Sequence, residues 1–195
     1  VSEPLKQETM AQDNVDQVRV LRSETGAGIM DCKRALVEAK GDFQVAKDLL
    51  RKRGFEIAKK KSGREVREGQ VFSYIHLGGK IGVLVEINCE TDFVARNSEF
   101  QQFGRDIAMQ IAAAHPQFVS REEVDPKWLE HEREVFRSQI KAKPAKMQDQ
   151  IIQGKLEKRF EEVCLLDQKF IKDEARTIQD LLTHLILKLG ERVMV

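Results

Sequence analysis

The apolar positions of the first part of the chain follow the spacing of three short helices. In the first helix they are Val15, Val18 and Leu21. In the second, which is predicted to end at Gly41, they are Ile29, Cys32, Ala35, Leu36 and Ala39. Asp42 is predicted to cap a third helix that ends at Gly54. Its inward positions are Val45, Ala46, Leu49 and Leu50. Three helices in about 40 residues predict a small docking domain over 15–54.

Alternating apolar and polar positions between residues 71 and 89 predict a β-hairpin. The first strand begins at Val71, and Gly78-Gly79 suits a two-residue turn in which both central residues take positive φ. The returning strand, from Lys80 to Cys89, carries on one face Ile81, Val83, Val85 and Ile87. Leu84 lies on the opposite face, which predicts that this second face is partly covered as well.

A long amphipathic helix follows the polar turn Thr91–Asn97. Ser98 and Gln101 have the spacing of a capping box, which predicts the start of the helix. Its apolar stripe consists of Phe100, Phe103, Ile107, Ala108, Ile111 and Ala112. His115-Pro116 is predicted to end it, because proline removes a backbone donor and clashes with the preceding turn.

The remainder of the chain is predicted to be mainly helical. Asp125-Pro126 is a helix start, a break is predicted over residues 141–144, and the next helix is predicted to reach Gly154. A final helix runs from a cap at Thr177 to Gly190, and the last four residues are predicted to begin a strand. Strands followed by runs of helices indicate an α+β fold rather than a doubly wound sheet.

Composition and charge narrow the functional classes. The chain has 195 residues with 41% hydrophobic content, enough for a substantial core. Lys and Arg number 33 against 32 Asp and Glu, and this balance argues against a dedicated nucleic-acid binder. No apolar run approaches the ~20 residues of a membrane span. Residues 1–14, predicted to be flexible, lack a signal-peptide core. We therefore expect a cytoplasmic protein without membrane contact.

Residues 51–67 form a strongly basic segment with eight basic and two acidic side chains. One interpretation is a solvated helix followed by an interdomain linker, assigned to residues 55–69. The other is a contact with RNA or with an acidic protein surface. Binding that weakens steeply with salt would favour the RNA contact, which would make the protein an RNA-binding or ribosome-associated adaptor.

No pattern of catalytic residues emerges. Gly26-Ala27-Gly28 lacks the Gly-Lys-Ser/Thr continuation of a phosphate-binding loop and predicts a helix–helix turn. His131-Glu132 has no second histidine at the spacing of a helical zinc site. The cysteines at 32, 89 and 164 are far apart, which is typical of reduced, buried thiols. A cysteine hydrolase would need a histidine beside one of them. We expect no bond-making enzyme, no cofactor and no metal.

Phe93 is the most informative side chain, because it stands in a polar turn. Burial of a phenylalanine contributes about 1.5–3 kcal/mol, so an apolar ring at this place packs into the core or is held out for another protein. The helix that follows already has Phe100, Phe103 and Ile107 to fill its inner face. The core therefore has less need of Phe93, and both directions remain open at this point.

Three segments together resemble signatures of a known family. Thr25–Leu36, Asn88–Asn97 and Leu165–Ile171 are similar, in order and spacing, to motifs of bacterial elongation factor Ts. The resemblance implies a guanine-nucleotide exchange factor for the translational GTPase elongation factor Tu. It implies a ubiquitin-associated-like N-terminal domain and a core over 70–195 built on a small antiparallel sheet packed with helices. The length resembles the short form with a single core subdomain, which implies a homodimer that binds two elongation factor Tu molecules.

The resemblance also assigns partner contacts. In the family, residues matching Asp92 and Phe93 are pushed into the GTPase domain of elongation factor Tu, which favours the outward direction of Phe93. A second contact is implied at Ile29, Met30 and Lys33, and further contact positions are implied at His76, Ile171, Lys172, Leu189 and Gly190. Alternatives remain: Ile29 and Met30 as core residues, and His76 as an ordinary strand-surface histidine. Lys169 stands where the family usually has proline, which predicts a less rigid loop.

Overall fold

The computed structural model describes residues 15–140 and 144–195 as helices combined with short strands. The helices are α1 (15–25), α2 (Ile29–Glu38), α3 (Phe43–Lys61), α4 (Asp92–Ala95), α5 (Ser98–Ala114), α6 (Pro126–Gln139), α7 (Ala145–Val163) and α8 (Ile178–Leu189). The strands are β1 (Glu68–Ile75), β2 (Gly82–Cys89), β3 (Lys169–Phe170), β4 (Asp173–Thr177) and β5 (Val193–Met194). The α+β prediction is confirmed. The predicted flexible N-terminus at 1–14 lies outside the described residues, as does most of the break predicted over 141–144, of which Pro144 is described and precedes α7.

The strands form a three-stranded sheet and a separate two-stranded one. The larger has the order β1-β2-β5, with β5 antiparallel to β2 through the pairs Asn88–Met194 and Cys89–Val193. The strand predicted at the end of the sequence therefore exists. The smaller sheet pairs β3 with β4 and was not predicted, because Asp173–Thr177 is mostly polar and lacks a strand's apolar alternation.

The described chain divides into two compact units. The first holds residues 15–70, 87–101 and 180–194, and the second holds Val71–Glu86 and Gln102–Gln179. Helices α1 to α3 enclose a core in the first unit that consists of Leu21, Ala27, Cys32, Ala35, Leu36, Ala39, Ala46 and Leu50. Val45 was predicted to face this core and is exposed instead. The predicted domain boundaries remain a prediction.

Helix α3 does not end at Gly54, and residues 55–61 are helical rather than linker. A Cβ atom at Gly54 would lie 2.9 Å from Leu187 Cδ1 and 3.1 Å from Thr183 Cγ2 of α8. The glycine therefore permits a close approach of two helices within the first unit. Sequence pattern suggests a helix end at such a glycine, because glycine is frequent just past helix ends, whereas its use here depends on a distant neighbour.

Three other local predictions also need correction: the length of the β1–β2 loop, the helix end at Gly154 and the cap of α5. The glycines of the β1–β2 loop do have positive φ, at 90° for Gly78 and 67° for Gly79, but the loop is longer than two residues because β1 ends at Ile75 and β2 begins at Gly82. Gly154 does not end a helix, since α7 passes through it.

The cap of α5 is Asn97 instead of Ser98. Asn97 Oδ1 accepts from the Glu99 N–H at 2.8 Å, and the Gln101 side chain donates to the Ala95 carbonyl at 2.6 Å. The predicted apolar stripe of α5 is largely confirmed, with buried Phe100, Phe103, Ile107, Ala108 and Ala112. The helix itself was therefore predicted correctly, while its first residue was not.

The second unit contains two helix glycines in contrasting surroundings. A Cβ atom at Gly104 of α5 would lie 2.3 Å from two ring carbons of Phe72, which is buried. At Gly154 of α7 the same position has no neighbour within 4 Å apart from the adjoining backbone of its own helix. The first glycine is required by the Phe72 ring, and the second is a helix-interior glycine without a packing role.

We predict opposite effects of alanine at these two positions. Gly104→Ala should lower the free energy of unfolding by about 1–3 kcal/mol, because the new methyl group overlaps Phe72. Gly154→Ala should raise it by about 0.5–1 kcal/mol, since alanine is the better helix former and meets no neighbour. Thermal and urea unfolding followed by circular dichroism measure both, and equal effects of the two variants would contradict the packing described for Phe72.

Candidate functional site

The turn Thr91–Asn97 presents an exposed aromatic ring on a short, anchored helix. Thr91 caps α4, with its Oγ1 atom accepting from the Val94 N–H at 3.4 Å. Val94 and Ala95 are buried beneath the turn, whereas Phe93 is 81% exposed. The prediction that Phe93 points outward is therefore confirmed, and the ring is the apolar tip of a turn whose other side belongs to the core.

The charged neighbours of Phe93 lie along the same turn. Asp92 pairs with Arg96 one helical turn later, with 2.9 Å between Oδ2 and Nη2. Both side chains are partly solvent-exposed, so the ion pair contributes little to stability. Asp92 is not a capping residue, because Thr91 and Asn97 supply the side-chain caps of the two helices. The turn thus exposes a carboxylate beside an aromatic ring.

A group of residues that we call the turn junction connects this turn to the end of α8. It consists of Glu90, Thr91, Gly190, Glu191 and Arg192. The Glu191 carboxylate accepts from the Thr91 N–H at 3.0 Å and from the Thr91 hydroxyl at 2.7 Å. The Glu90 carboxylate accepts from the Arg192 N–H at 2.5 Å. That backbone hydrogen bond is the main reason why the pKa of Glu90 lies below its usual value.

The turn junction is also tied to α3 and to the segment after it. Lys61 donates from Nζ to the Gly190 carbonyl, and the Arg192 guanidinium donates to the Arg64 carbonyl. Arg64 in turn lies 3.3 Å from the Glu90 carboxylate. Gly190, which has a φ of +74°, ends α8 in the left-handed conformation that its predicted role requires. Leu189 before it is half-buried.

The residues predicted on the N-terminal helices form a separate exposed group. Ile29, Met30 and Lys33 lie in the first turns of α2 and are exposed. The alternative that Ile29 and Met30 belong to the core is therefore wrong. The opposite side of the same helix provides the buried Cys32, Ala35 and Leu36. An apolar pair with an adjacent ammonium group is thus left in solvent on the outer side of α2.

The other predicted contacts lie in the second unit. His76 is exposed at the end of β1, and its Nδ1 atom lies 3.1 Å from the Tyr74 hydroxyl. Ile171 and Lys172 lie in the loop between β3 and β4, and both are exposed. The Lys172 ammonium group pairs with Asp106 Oδ1 at 2.7 Å.

A buried amide fixes the Ile171 loop. Gln110 Oε1 accepts from the Ile171 N–H at 3.0 Å, while its Nε2 atom donates to Gln168 Oε1 at 3.1 Å and to the Lys169 carbonyl at 3.2 Å. Gln110 is 1% exposed, so these bonds satisfy an otherwise costly buried amide. The loop is therefore positioned from α5 despite the lysine at 169.

Sequence reasoning missed Glu191, Arg192 and Gln110. The role of Glu90 as acceptor for the Arg192 N–H was not predicted either. Glu90 and Thr91 contact Glu191 and Arg192 only because β5 pairs with β2. The local sequence does not predict that pairing. For Gln110 a weak signal existed, since it interrupts the buried side of an amphipathic helix.

The described residues show little that suggests covalent or metal chemistry. Burial raises the pKa of the Cys89 and Cys164 thiols to about 11 and also raises that of Cys32, so these thiols are protonated at neutral pH and poor nucleophiles. Across residues 15–140 and 144–195, the structure has no grouping of three or more potential metal ligands. In the same ranges no helix is both long and apolar enough to cross a membrane.

Comparisons with known proteins agree along most of the chain. The family model described as Elongation factor TS matches residues 55–193. Elongation factor Ts of Thermodesulfovibrio yellowstonii is 54% identical over 179 residues, which are 91% of this chain and 89% of that protein. The protein of the same name from Carboxydothermus hydrogenoformans is 56% identical over 178 residues, 90% of this chain and 82% of that protein. Given this extent of similarity, the chain belongs to the elongation factor Ts family of translation elongation factors.

Proposed function

We propose that the protein is a guanine-nucleotide exchange factor for elongation factor Tu and that it works in the cytoplasm during translation elongation. The observation that carries the proposal is Phe93, 81% exposed on a turn whose other side is buried. A large ring held in water by an anchored backbone is suited to insertion into another protein. The process makes and breaks no covalent bond, so the protein acts on the rate of GDP release alone.

The proposed mechanism follows from how GTPases hold their nucleotide. Phosphates and Mg²⁺ are held by many positioned contacts, and a partner that moves the surrounding helices weakens these contacts without touching the nucleotide. Asp92 and Phe93 would supply this displacement as Phe93 becomes buried in the GTPase. Linkage requires the effect to be reciprocal, so bound GDP weakens the binding of the exchange factor by the same factor.

The remaining exposed groups supply further contacts in this proposal. Ile29, Met30 and Lys33 on α2 would hold the GTPase domain through the three-helix domain, which we take to be ubiquitin-associated-like. The other proposed contacts with elongation factor Tu are His76, Ile171, Lys172, Leu189 and Gly190. Spread over several elements, such contacts would hold the partner while Asp92 and Phe93, which we call the wedge, are inserted.

The charges of residues 51–67 argue against an RNA-binding adaptor. Four of the arginines pair with carboxylates of the same chain: Arg51 with Asp180, Arg53 with Glu38, Arg64 with Glu90 and Arg67 with Glu65. Lys61 donates to the Gly190 carbonyl. A cation that already has an internal partner gains less from a phosphate, so we propose no direct nucleic-acid contact.

We predict that Phe93→Ala slows the release of labelled GDP from elongation factor Tu by about tenfold or more, as expected for loss of an inserted aromatic anchor. The melting temperature should stay close to that of the wild type, because the ring is exposed in the free protein. Stopped-flow release of a fluorescent GDP analogue measures the first effect and calorimetry the second.

Met147→Ala is the matched control, since it removes another exposed apolar side chain from a distant helix. It should leave both quantities at the wild-type values. Normal GDP release with Phe93→Ala would rule out the wedge, and no acceleration by the wild-type protein would rule out the exchange function altogether.

We further propose that the protein is a homodimer and binds two elongation factor Tu molecules. The face of the β-hairpin opposite the buried Phe72 and Val85 is apolar and open: it includes Val71, Ile75 and Leu84, with Leu84 77% exposed. Within one chain Leu84 is uncovered, so the cover predicted for this face would have to come from another molecule. A second copy of the same face would bury this surface, which is how symmetric dimers form.

A charge on this face should prevent dimer formation. We predict that light scattering gives twice the mass of one chain at micromolar concentration and that Leu84→Glu shifts it to one chain, because an unpaired buried carboxylate opposes association. Met147→Glu, which adds the same charge elsewhere, should remain dimeric. A wild-type protein that stays monomeric over this range would refute the dimer without bearing on the wedge.

A further inference from the structure

The backbone pairing of β2 with β5 stops one residue before the turn, and side chains continue it. Its last pair is Cys89 with Val193. Beyond it, Glu90 accepts from the Arg192 N–H and Glu191 accepts from the Thr91 N–H. The segment after β2 and the segment before β5 thus each accept a backbone N–H with a carboxylate in place of a backbone carbonyl. As a result, Thr91, the residue before Asp92, is bonded to Glu191.

Glu191 determines how Thr91 can act as a cap. A threonine hydroxyl has one proton and two lone pairs. The Thr91 proton goes to Glu191 at 2.7 Å, which leaves a lone pair of the same oxygen for the Val94 N–H. The Thr91 N–H is satisfied by the same carboxylate at 3.0 Å. Hydrogen bonds to a charged acceptor are among the stronger ones, so one carboxylate fixes both the backbone and the rotamer of this residue.

Phe93 depends on this arrangement for its direction. Its ring is 81% exposed, so neighbouring side chains orient it weakly. The direction must come from the backbone of α4, a helix of four residues that is too short to be stable alone. Val94 and Ala95 hold it to the core from below, and Thr91 holds its beginning. Loss of the Thr91 anchor would release the start of the turn.

We propose that Glu191 is a positioning residue that preorganises the Asp92-Phe93 wedge through Thr91. The inference rests on the proposed exchange function, because it assigns to Glu191 the orientation of the group that enters the GTPase. A wedge already fixed before contact loses less conformational freedom on insertion, so more of the burial of Phe93 is available to displace the nucleotide contacts. Glu191 itself need not touch the partner.

The first measurement is amide hydrogen exchange of the full chain without any partner. In Glu191→Ala the amides of Thr91 and Val94 should exchange about tenfold faster or more, since their protection reports local opening of the turn. The strand amides of β2 and β5 should keep their wild-type protection. Thr91→Val, which removes only the hydroxyl, should accelerate exchange at Val94. Glu24→Ala removes another carboxylate of the same unit, one that pairs with Lys47, and should change none of these amides.

The second measurement is a double-mutant cycle in GDP release from elongation factor Tu. Glu191→Ala alone should slow release several-fold, and Glu191→Ala combined with Phe93→Ala should release no more slowly than Phe93→Ala by itself. This non-additivity is expected because a positioning residue has no effect once the group it positions is gone. Glu191→Gln keeps a single acceptor oxygen and should fall between the wild type and Glu191→Ala.

The outcomes separate this inference from the proposed function. Unchanged amide exchange at Thr91 and Val94, or loss of protection throughout β2 and β5, overturns the positioning role whatever the GDP release shows. Additive effects of the two substitutions on release overturn it as well. Faster amide exchange confined to the turn, together with normal release in Phe93→Ala, supports the positioning of the turn and refutes the wedge.

Discussion

The antiparallel contact between β2 and β5 brings together residues that are about a hundred positions apart, and the turn Thr91–Asn97 depends on it. Thr91 and Glu191 are separated by 100 residues and share two hydrogen bonds. Closing so long a loop costs conformational entropy, although the cost grows only slowly with length. The backbone pairs at Asn88 and Cys89 join the two segments, and this places the carboxylates of Glu90 and Glu191 at close range. The fixed conformation of the turn thus depends on β5, a strand of only two residues.

The same end of the chain also organises the N-terminal part of the first unit. Gly54 allows α3 to approach α8 closely, and Lys61 at the end of α3 donates to the carbonyl of Gly190. Arg51 pairs with Asp180 at the start of α8. Basic side chains that look like a solvated run in the sequence are therefore used to hold a helix in place. This internal pairing occupies part of the local positive charge, which supports the proposal that the segment makes no direct nucleic-acid contact.

An exposed aromatic side chain contributes no burial free energy to the isolated protein; it would contribute only if a partner covered it. Phe93 is separated from the core by the turn itself, while Val94 and Ala95 connect that turn to the interior. This division lets one segment be anchored in the core and still expose an aromatic ring to solvent. The β-hairpin is divided in the same way. Phe72 and Val85 are buried on one face and anchor it, while Leu84 is exposed on the other.

Periodicity along the chain was enough to predict most helices, the β-hairpin and the α+β class, because an amphipathic face is formed by residues close together in sequence. The outward direction of Phe93 was predicted with the help of the family resemblance, since the pattern alone showed only that Phe100, Phe103 and Ile107 already fill the adjacent core. The sequence could not reveal that α3 continues past Gly54, that β3 pairs with β4, or that Gln110 fixes the Ile171 loop. Nor could it reveal that Glu191 holds Thr91. In each of these cases a glycine, a polar strand or a buried polar side chain takes its role from a partner distant in sequence, and only the tertiary structure supplies that partner.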